Sequence, residues 1–327
     1  MSMSKHAITR VRHEPRRRLL TVQQVERITP GMARITLGGD GTIEVITGAA
    51  SIGQGVETVL AQICADGLGT GLDHIQVIHG QTDRIARGMG AFASRVTVMT
   101  GAAVTIAAAK LRGELLRVAG QLLQTTPERL AIAGDRVLLR DAPGGPSLDL
   151  AAIARSAGGE LTADATFTTD RMTYPYGVHL AQVHIERNSC AIAVERFFVG
   201  YDIGRAVNPM LVEGQIVGGA AQGIGASLLE EFVYDASGQP QSVTLADYLM
   251  PTIAEIPTIE VTLFEDAPTP LNPLGVKGAG EAGIAAAGAA IAAAVDDALG
   301  RAGAVRQLPI TPNRLHALMA EFPAAER

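Results

Sequence analysis

One carboxylate lies inside a glycine-rich run in the last fifth of the chain, residues 274–283. The run reads LGVKGAGEAG, and an alanine-rich stretch at residues 284–299 with helical character follows it. Glycine lets a backbone approach a ligand closely, and a helix N-terminus stabilises a nearby negative charge by about 0.3–1 kcal/mol. Two interpretations of Glu281 stay open: it complements a helix dipole in a tight turn, or it is a catalytic carboxylate beside a ligand.

Two further glycine-containing loops precede predicted helices. The first, residues 53–58, reads GQGVET, and the second, residues 88–95, reads GMGAFASR. Small residues at the start of a helix leave backbone N–H groups free to bind an anion. Gln54 and Gln215 can each donate and accept hydrogen bonds. For either glutamine alone, a solvated or helix-capping amide is the alternative.

Hydrophobic periodicity indicates the elements that position these loops. Residues 32–145 are predicted to form a first lobe, with a hairpin at 33–47, a helix at 57–68, a strand at 75–79 and a long helix at 98–123. Residues 141–147, DAPGGPS, give the strongest break signal, because glycine and proline favour turns.

A second lobe is predicted for residues 146–327. It starts with a short helix at 148–156 and continues with strands at 177–186 and 191–202, helices at 211–232 and 284–299, and a last helix begun by Thr311 and Pro312. Five glycines in the helix at 211–232 cost about 1 kcal/mol each relative to alanine. They are expected to permit the close approach of another element.

Composition excludes several classes of function. A net charge of −6 with 4% aromatic residues argues against a nucleic-acid partner. No apolar run is long enough to span a membrane, so the sequence predicts a soluble cytoplasmic protein. Cys64 and Cys190 are expected to be buried free thiols, and the absence of Cys/His metal spacing leaves the chain with no predicted metal ligand.

Residues 1–31 are rich in arginine and are predicted to be a flexible basic segment. Histidines on predicted strands more often have satisfied hydrogen bonds than bind a metal. His79, His179 and His184 are therefore given no role.

Several separated motifs together resemble the molybdenum hydroxylases of the xanthine dehydrogenase family, over about residue 41 to the C-terminus. The motifs are, in order, GQGVET (53–58), GMGAFASR (88–95), DIGRAVNP (202–209), EGQI (213–216), AQGIG (221–225) and GVKGAGEAG (275–283). The match is to the C-terminal half of the molybdopterin-binding subunit. It implies an α+β, two-lobed molybdopterin-binding domain, with mixed sheets packed by glycine- and alanine-rich helices.

The resemblance also implies roles for individual residues. Glu281 matches the general base, which accepts a proton from the water-derived nucleophile and is expected to be kept ionised at neutral pH by its helix. Lys277 is expected to be exposed to solvent. The cofactor-binding positions implied are Gly53, Gln54, Gly55, Phe92, Ala93, Ser94, Arg95, Gln215, Gly278 and Gly280.

The implied activity is the hydroxylation of an electron-poor carbon of a heterocycle or aldehyde, with water as the oxygen source. The implied cofactor is molybdenum–molybdopterin cytosine dinucleotide, whereas [2Fe–2S] clusters and FAD belong to partner subunits. The substrate-facing half of the family's full subunit does not match any part of this chain. We therefore expect a complementary molybdenum-subunit half beside the iron–sulfur and FAD subunits; the alternative is a non-catalytic fragment that binds partners without a competent cofactor.

The first 40 residues resemble a different family, the siderophore-interacting flavin reductases, through the stretch HEPRRRLLTV at 13–22 and PGMARITLGGD at 30–40. This resemblance predicts a fusion near Asp40, with residues 33–37 serving as a replacement hairpin strand. A flavin reductase is the third functional hypothesis.

Overall fold

The computed structural model describes residues 30–321. Within this range the strands are β1 (Gly31–Gly38), β2 (Ile43–Thr47), β3 (Ile75–His79), β4 (Leu130–Ala133), β5 (Arg136–Leu139), β6 (Ala142–Asp149), β7 (Glu160–Phe167), β8 (Tyr176–Glu186), β9 (Ala191–Asp202) and β10 (Ile259–Phe264). The helices are α1 (Val56–Leu68), α2 (Ala102–Leu122), α3 (Leu150–Ser156), α4 (Pro209–Leu228), α5 (Ala282–Ala285), α6 (Ala287–Ala298) and α7 (Pro312–Glu321).

The first sheet has the strand order β3-β2-β1-β7. The predicted hairpin is confirmed, because β1 and β2 pair antiparallel from Ala33–Thr47 to Leu37–Ile43. Alternate residues of β1, including Ile35 and Leu37, are fully buried and pack with α1 and α2. The alternation of apolar and polar residues in β1 thus fixes which face of the sheet carries the core.

The second sheet has the order β10-β9-β8, with β8 antiparallel and β10 parallel to β9. Helices α4 and α6 cover one face, where Phe197, Ile224 and Ile291 are fully buried. A Cβ atom on Gly283 would lie 2.0 Å from the Ile216 carbonyl oxygen of α4. A glycine is therefore required for α5 to pack this closely on α4.

The α4 glycines have three different surroundings, and a Cβ atom on Gly225 would meet Glu230 and Pro251. Gly219 and Gly223 face α5 and α6, as the predicted close approach requires, whereas nothing lies within 4 Å of a Cβ built on Gly214 or Gly218. The close approach explains only part of the glycine content of this helix.

A small third sheet, β4-β5-β6, was not predicted from the sequence. Residues 141–147, expected to break the chain, instead form most of β6, which pairs antiparallel with β5. The pairing supplies the backbone hydrogen bonds that a turn would have left to water.

The α+β fold class is confirmed, whereas the division into lobes at residues 145 and 146 stays a prediction. The first core cluster crosses that point, because Ile153 of α3 and Ala165 of β7 belong to it. The predicted flexible segment 1–31 lies almost entirely outside the described residues.

Candidate functional site

Glu281 immediately precedes α5, and its Oε2 atom accepts a hydrogen bond of 2.7 Å from the Ser94 hydroxyl. The side chain is exposed. The single helix predicted at 284–299 is instead divided, since α5 has four residues and α6 starts at Ala287. The carboxylate is therefore oriented by a side chain from a loop 187 positions earlier in the sequence.

The loop that carries Ser94 has an unusual backbone. Ala93 and Ser94 have φ angles of 51° and 53°, in the left-handed region that residues with a side chain rarely adopt. A Cβ atom on Gly278 would lie 2.6 Å from the Ser94 carbonyl oxygen. The two loops thus touch through their backbones, and only glycine at position 278 allows this contact.

A small apolar cluster underlies the contact between these loops. It consists of Met89, Val98, Met99 and Val276, each no more than 6% exposed. Val276 belongs to the Glu281 loop, and the other three flank the Ser94 loop. Burial of these side chains therefore fixes the two loops relative to each other.

Lys277 forms a buried ion pair with Asp202 at the end of β9, which corrects the expectation that it is exposed. Its Nζ lies 2.8 Å from Asp202 Oδ1, and the two side chains are 7% and 4% exposed. Burial raises the pKa of Asp202, but the hydrogen bonds from Lys277 and the Gly204 N–H outweigh it, so the pKa lies below its ordinary value. The pair ties the Glu281 loop to the second sheet.

Two other contacts anchor the same loop. The buried Asn272 side chain donates to the Val276 carbonyl at 2.8 Å and accepts from the Val276 and Leu274 N–H groups. The Lys277 N–H donates to the Ile203 carbonyl at 2.8 Å. The backbone before Glu281 is therefore bonded on both sides.

Two cavities meet at Glu281. The first, of about 320 Å³, brings together seven of the predicted residues: Gln54, Phe92, Ala93, Ser94, Gln215, Gly280 and Glu281. The second, of about 250 Å³, is lined by Arg95 and Gly278 and shares Ala93, Ser94 and Glu281 with the first. Gly53 and Gly55 line neither cavity, although they belong to the Gln54 loop.

The side-chain amide of Gln54 bonds within its own loop. Its Nε2 donates to the Ala50 carbonyl at 2.9 Å, and its Oε1 accepts from the Ile52 N–H at 2.7 Å. Sequence reasoning expected this amide to face a ligand, whereas in the structure it also shapes the loop.

Arg95 is the predicted residue with an unused donor. Its guanidinium lies 4.6 Å from the centre of the Phe92 ring, and its Nε is buried with no hydrogen-bond partner among the described residues. A buried N–H without a partner is costly, so an acceptor from a ligand would stabilise this arrangement.

No group of three or more His, Cys, Asp or Glu side chains within residues 30–321 is placed to hold a metal ion. Cys64 and Cys190 are both buried and free, and burial raises the pKa of the Cys64 thiol to about 12. Among the residues described, no helix has both the length and the apolar character that crossing a bilayer requires.

Sequence reasoning missed two residues that contact the segment around Glu281. Asp202 was quoted only as part of a motif, and His179 was given no role, yet its Nε2 lies 3.0 Å from the carbonyl oxygen of Ala282, the residue after Glu281. Both contacts join residues at least 75 positions apart. No local pattern of residues signals such pairs.

These loops lie around a cavity with a carboxylate at its wall, an arrangement that can enclose a cofactor. The family model of the molybdopterin cofactor-binding domain matches residues 15–257, and the chain belongs to this family. The resemblance to the xanthine dehydrogenase family is thereby confirmed.

Relatives support the same family. The chain is 39% identical over 295 residues to the 6-hydroxypseudooxynicotine dehydrogenase complex subunit gamma of Paenarthrobacter nicotinovorans, covering 88% of this chain and 37% of that protein. It is 34% identical over 292 residues to the xanthine dehydrogenase molybdenum-binding subunit of Escherichia coli O157:H7, covering 87% and 38%. Quinoline 2-oxidoreductase from Pseudomonas putida 86 has the same fold, with a TM-score of 0.82 and 37% identity over 90% of this chain and 39% of that chain.

The chain thus spans less than two fifths of the length of these relatives. The resemblance of residues 1–40 to flavin reductases receives no support. The molybdopterin family model already matches from residue 15, and β1 is an interior strand of the first sheet. Packing before residue 30, which would test the fusion further, lies outside the described residues.

Proposed function

We propose that this chain is the C-terminal half of a split molybdenum subunit in a molybdenum hydroxylase and supplies its general base, Glu281. The observation that carries the proposal is the Glu281 carboxylate, oriented by Ser94 at the wall shared by two cavities. The chain spans less than two fifths of the length of its relatives.

The residues around the first cavity fit a molybdopterin cofactor. Gln215 and the backbone of residues 92–94 present donors and acceptors to a heterocycle with mixed polar edges. The unpaired Nε of Arg95 suits a phosphate oxygen of a cytosine dinucleotide form of the cofactor. The loop before α1 contains Gly53, Gln54 and Gly55. The Glu281 loop contains Gly278 and Gly280, which have no side chains, so its backbone can approach the cofactor closely.

The cofactor, when bound, supplies the two-electron oxidation and the site at which a water-derived oxygen is activated. Glu281 then accepts the proton. The Ser94 hydroxyl occupies Oε2, so Oε1 is the atom free to take that proton. A general base must stand within hydrogen-bond reach of the group it deprotonates, and the anchored loop keeps the carboxylate at a fixed position.

The substrate is proposed to be a small molecule with an electron-poor carbon, in a heterocycle or an aldehyde. The names of two relatives refer to xanthine and quinoline, which are nitrogen heterocycles. This supports the heterocyclic class for the present chain.

The partner subunits are proposed to be a complementary molybdenum-subunit half, an iron–sulfur subunit with [2Fe–2S] clusters and an FAD subunit. Exposed apolar residues between α4 and β10 support a large partner surface: Phe232, Val243, Leu245 and Ile253 are 63–95% exposed.

The buried free thiols support a reducing compartment, and we propose the cytoplasm. The comparisons do not favour a non-catalytic fragment.

Co-expression with a candidate complementary half tests the proposal. The purified complex is analysed for molybdenum by mass spectrometry and for cytosine nucleotide after acid release. We expect about one molybdenum and one cytosine nucleotide per copy of this chain. A stable complex that holds neither would support the non-catalytic alternative and contradict the proposal.

A further inference from the structure

Strand β8 contacts the catalytic turn through one histidine. His179 points inward between the exposed residues Val178 and Leu180, and its Nε2 lies 3.0 Å from the Ala282 carbonyl oxygen. A carbonyl oxygen only accepts, so Nε2 must carry the proton. Nδ1 is then an unprotonated acceptor, and it is buried with no partner in the part of the chain that the structure describes.

Two aromatic rings of β9 hold the imidazole of His179 in this orientation. Phe197 and Tyr201 contact it edge to face, with ring centres 5.8 and 6.4 Å away. Phe197 is fully buried, so the imidazole is packed against a rigid part of the second core cluster. Burial lowers the pKa of His179, and the bond to Ala282 only partly opposes this, so the ring is neutral at neutral pH.

The turn that follows Glu281 contributes little of its own to fixing the position of the carboxylate. Helix α5 is a single turn, and Gly283 lies against the α4 backbone. Within residues 30–321, Ser94 is the one side chain that hydrogen-bonds the carboxylate. The His179 bond to Ala282 adds an anchor on the backbone one residue beyond Glu281.

We propose that His179 is a positioning residue for Glu281. Its Nε2–H holds the Ala282 carbonyl against β8, and thereby keeps the carboxylate where Ser94 can bind it and where it faces the cavity. The inference rests on the proposed function of Glu281 as general base. The role requires a hydrogen-bond donor at the position of Nε2, and an apolar side chain of similar size lacks it.

Three variants of the full chain, each in its loaded complex, test this role. His179→Leu removes the donor, His179→Gln keeps one, and His184→Leu is the matched control, because His184 lies on the exposed face of the same strand. We expect His179→Leu to lower kcat about three- to tenfold with KM changed less than twofold. His179→Gln restores kcat to within twofold, and His184→Leu leaves it unchanged.

Hydrogen–deuterium exchange of residues 279–286 gives a second readout that needs no turnover. The amide exchange rate of these residues is expected to be three- to tenfold higher in His179→Leu than in the wild type. It is expected to be unchanged in His179→Gln and His184→Leu. Circular dichroism checks folding, and His179→Met replaces the leucine variant if that one does not fold.

Unchanged exchange and kcat in His179→Leu, or equal losses in the glutamine and leucine variants, would overturn the inference. Glu281→Gln in the same complex separates it from the proposed function. Full activity of Glu281→Gln would overturn the base assignment, whereas faster exchange in His179→Leu would still support His179 as the residue that holds the turn.

Discussion

The Glu281 loop and the loop of residues 50–55 both line the first cavity, but their side chains hold them in different ways. The loop ending at Glu281 is bonded to distant parts of the chain by the buried Lys277–Asp202 pair, by the Lys277 N–H to the Ile203 carbonyl and by Ser94. These partners lie at the end of β9 and in the loop before α2.

The Gln54 side chain shapes the loop of residues 50–55 and hydrogen-bonds mainly within that loop. Gln54 bonds the backbone of Ala50 and Ile52, and the Ile52 side chain is 76% exposed. A proton acceptor must keep one position relative to the reacting group, whereas a loop that only binds a ligand can adapt to it. The difference in anchoring therefore matches the difference in proposed role.

The largest effect is expected at the anchored loop. Glu281→Gln keeps an oxygen that can accept from Ser94, so the structure should be retained, but the proton acceptor is lost. We expect kcat to fall about 10²- to 10⁴-fold, with unchanged molybdenum content in the complex. Glu128→Gln, at an exposed turn before β4, is the control and should be neutral. Equal rates for the two variants would remove Glu281 from the mechanism.

Loss of the Lys277–Asp202 ion pair should lower the free energy of unfolding. Lys277→Met leaves Asp202 buried and unpaired, which we expect to lower the free energy of unfolding by about 3–5 kcal/mol. Urea unfolding of the full chain measures this change. Lys110→Met, on α2, removes an exposed side chain whose Nζ donates to the Asp164 carbonyl, and is expected to lower the free energy of unfolding by about 1 kcal/mol or less. Similar values for the two variants would show that the ion pair is not the anchor.

The same pair should make stability depend on acid pH. The pKa of Asp202 is lower in the folded protein than its ordinary value of 3.8, so its contribution is fully present above that value and is lost as pH falls through the folded pKa. The difference in unfolding free energy between the wild type and Asp202→Asn is expected to be constant from pH 7 to 5 and to shrink below about pH 4. A difference that already changes between pH 7 and 5 would contradict the assignment.

The smallest effect is expected at the Gln54 loop. Gln54→Ala removes two hydrogen bonds at a partly exposed site and should lower the free energy of unfolding by about 1 kcal/mol. Hydrogen exchange should become faster in residues 50–55 and stay unchanged in residues 279–286. The reverse pattern is expected for Lys277→Met. Faster exchange of both loops in either variant would show that they are not held independently.

Local patterns in the sequence predicted most elements that carry the site. The alternation in β1 and the glycine–aspartate turn after it identified the hairpin, and the apolar spacing in α1 identified that helix. The glycine-rich motifs led to the residues that the structure brings together around Glu281. These signals are local, so one sequence suffices to see them.

What the sequence missed depends on contacts between distant residues. Lys277 resembles a solvated lysine until Asp202 is placed beside it by β9, and His179 gains a partner only when α5 packs against the second sheet. β6 was missed because its proline and glycine residues indicate a turn, and pairing with β5 overrides that preference.

A structure of the complex with the complementary half and its cofactor tests the central claim most directly. We expect the Glu281 carboxylate to lie within hydrogen-bond reach, about 2.6–3.2 Å, of a molybdenum ligand, with Lys277 still paired to Asp202. A cofactor bound elsewhere, with Glu281 facing only protein and solvent, would contradict it.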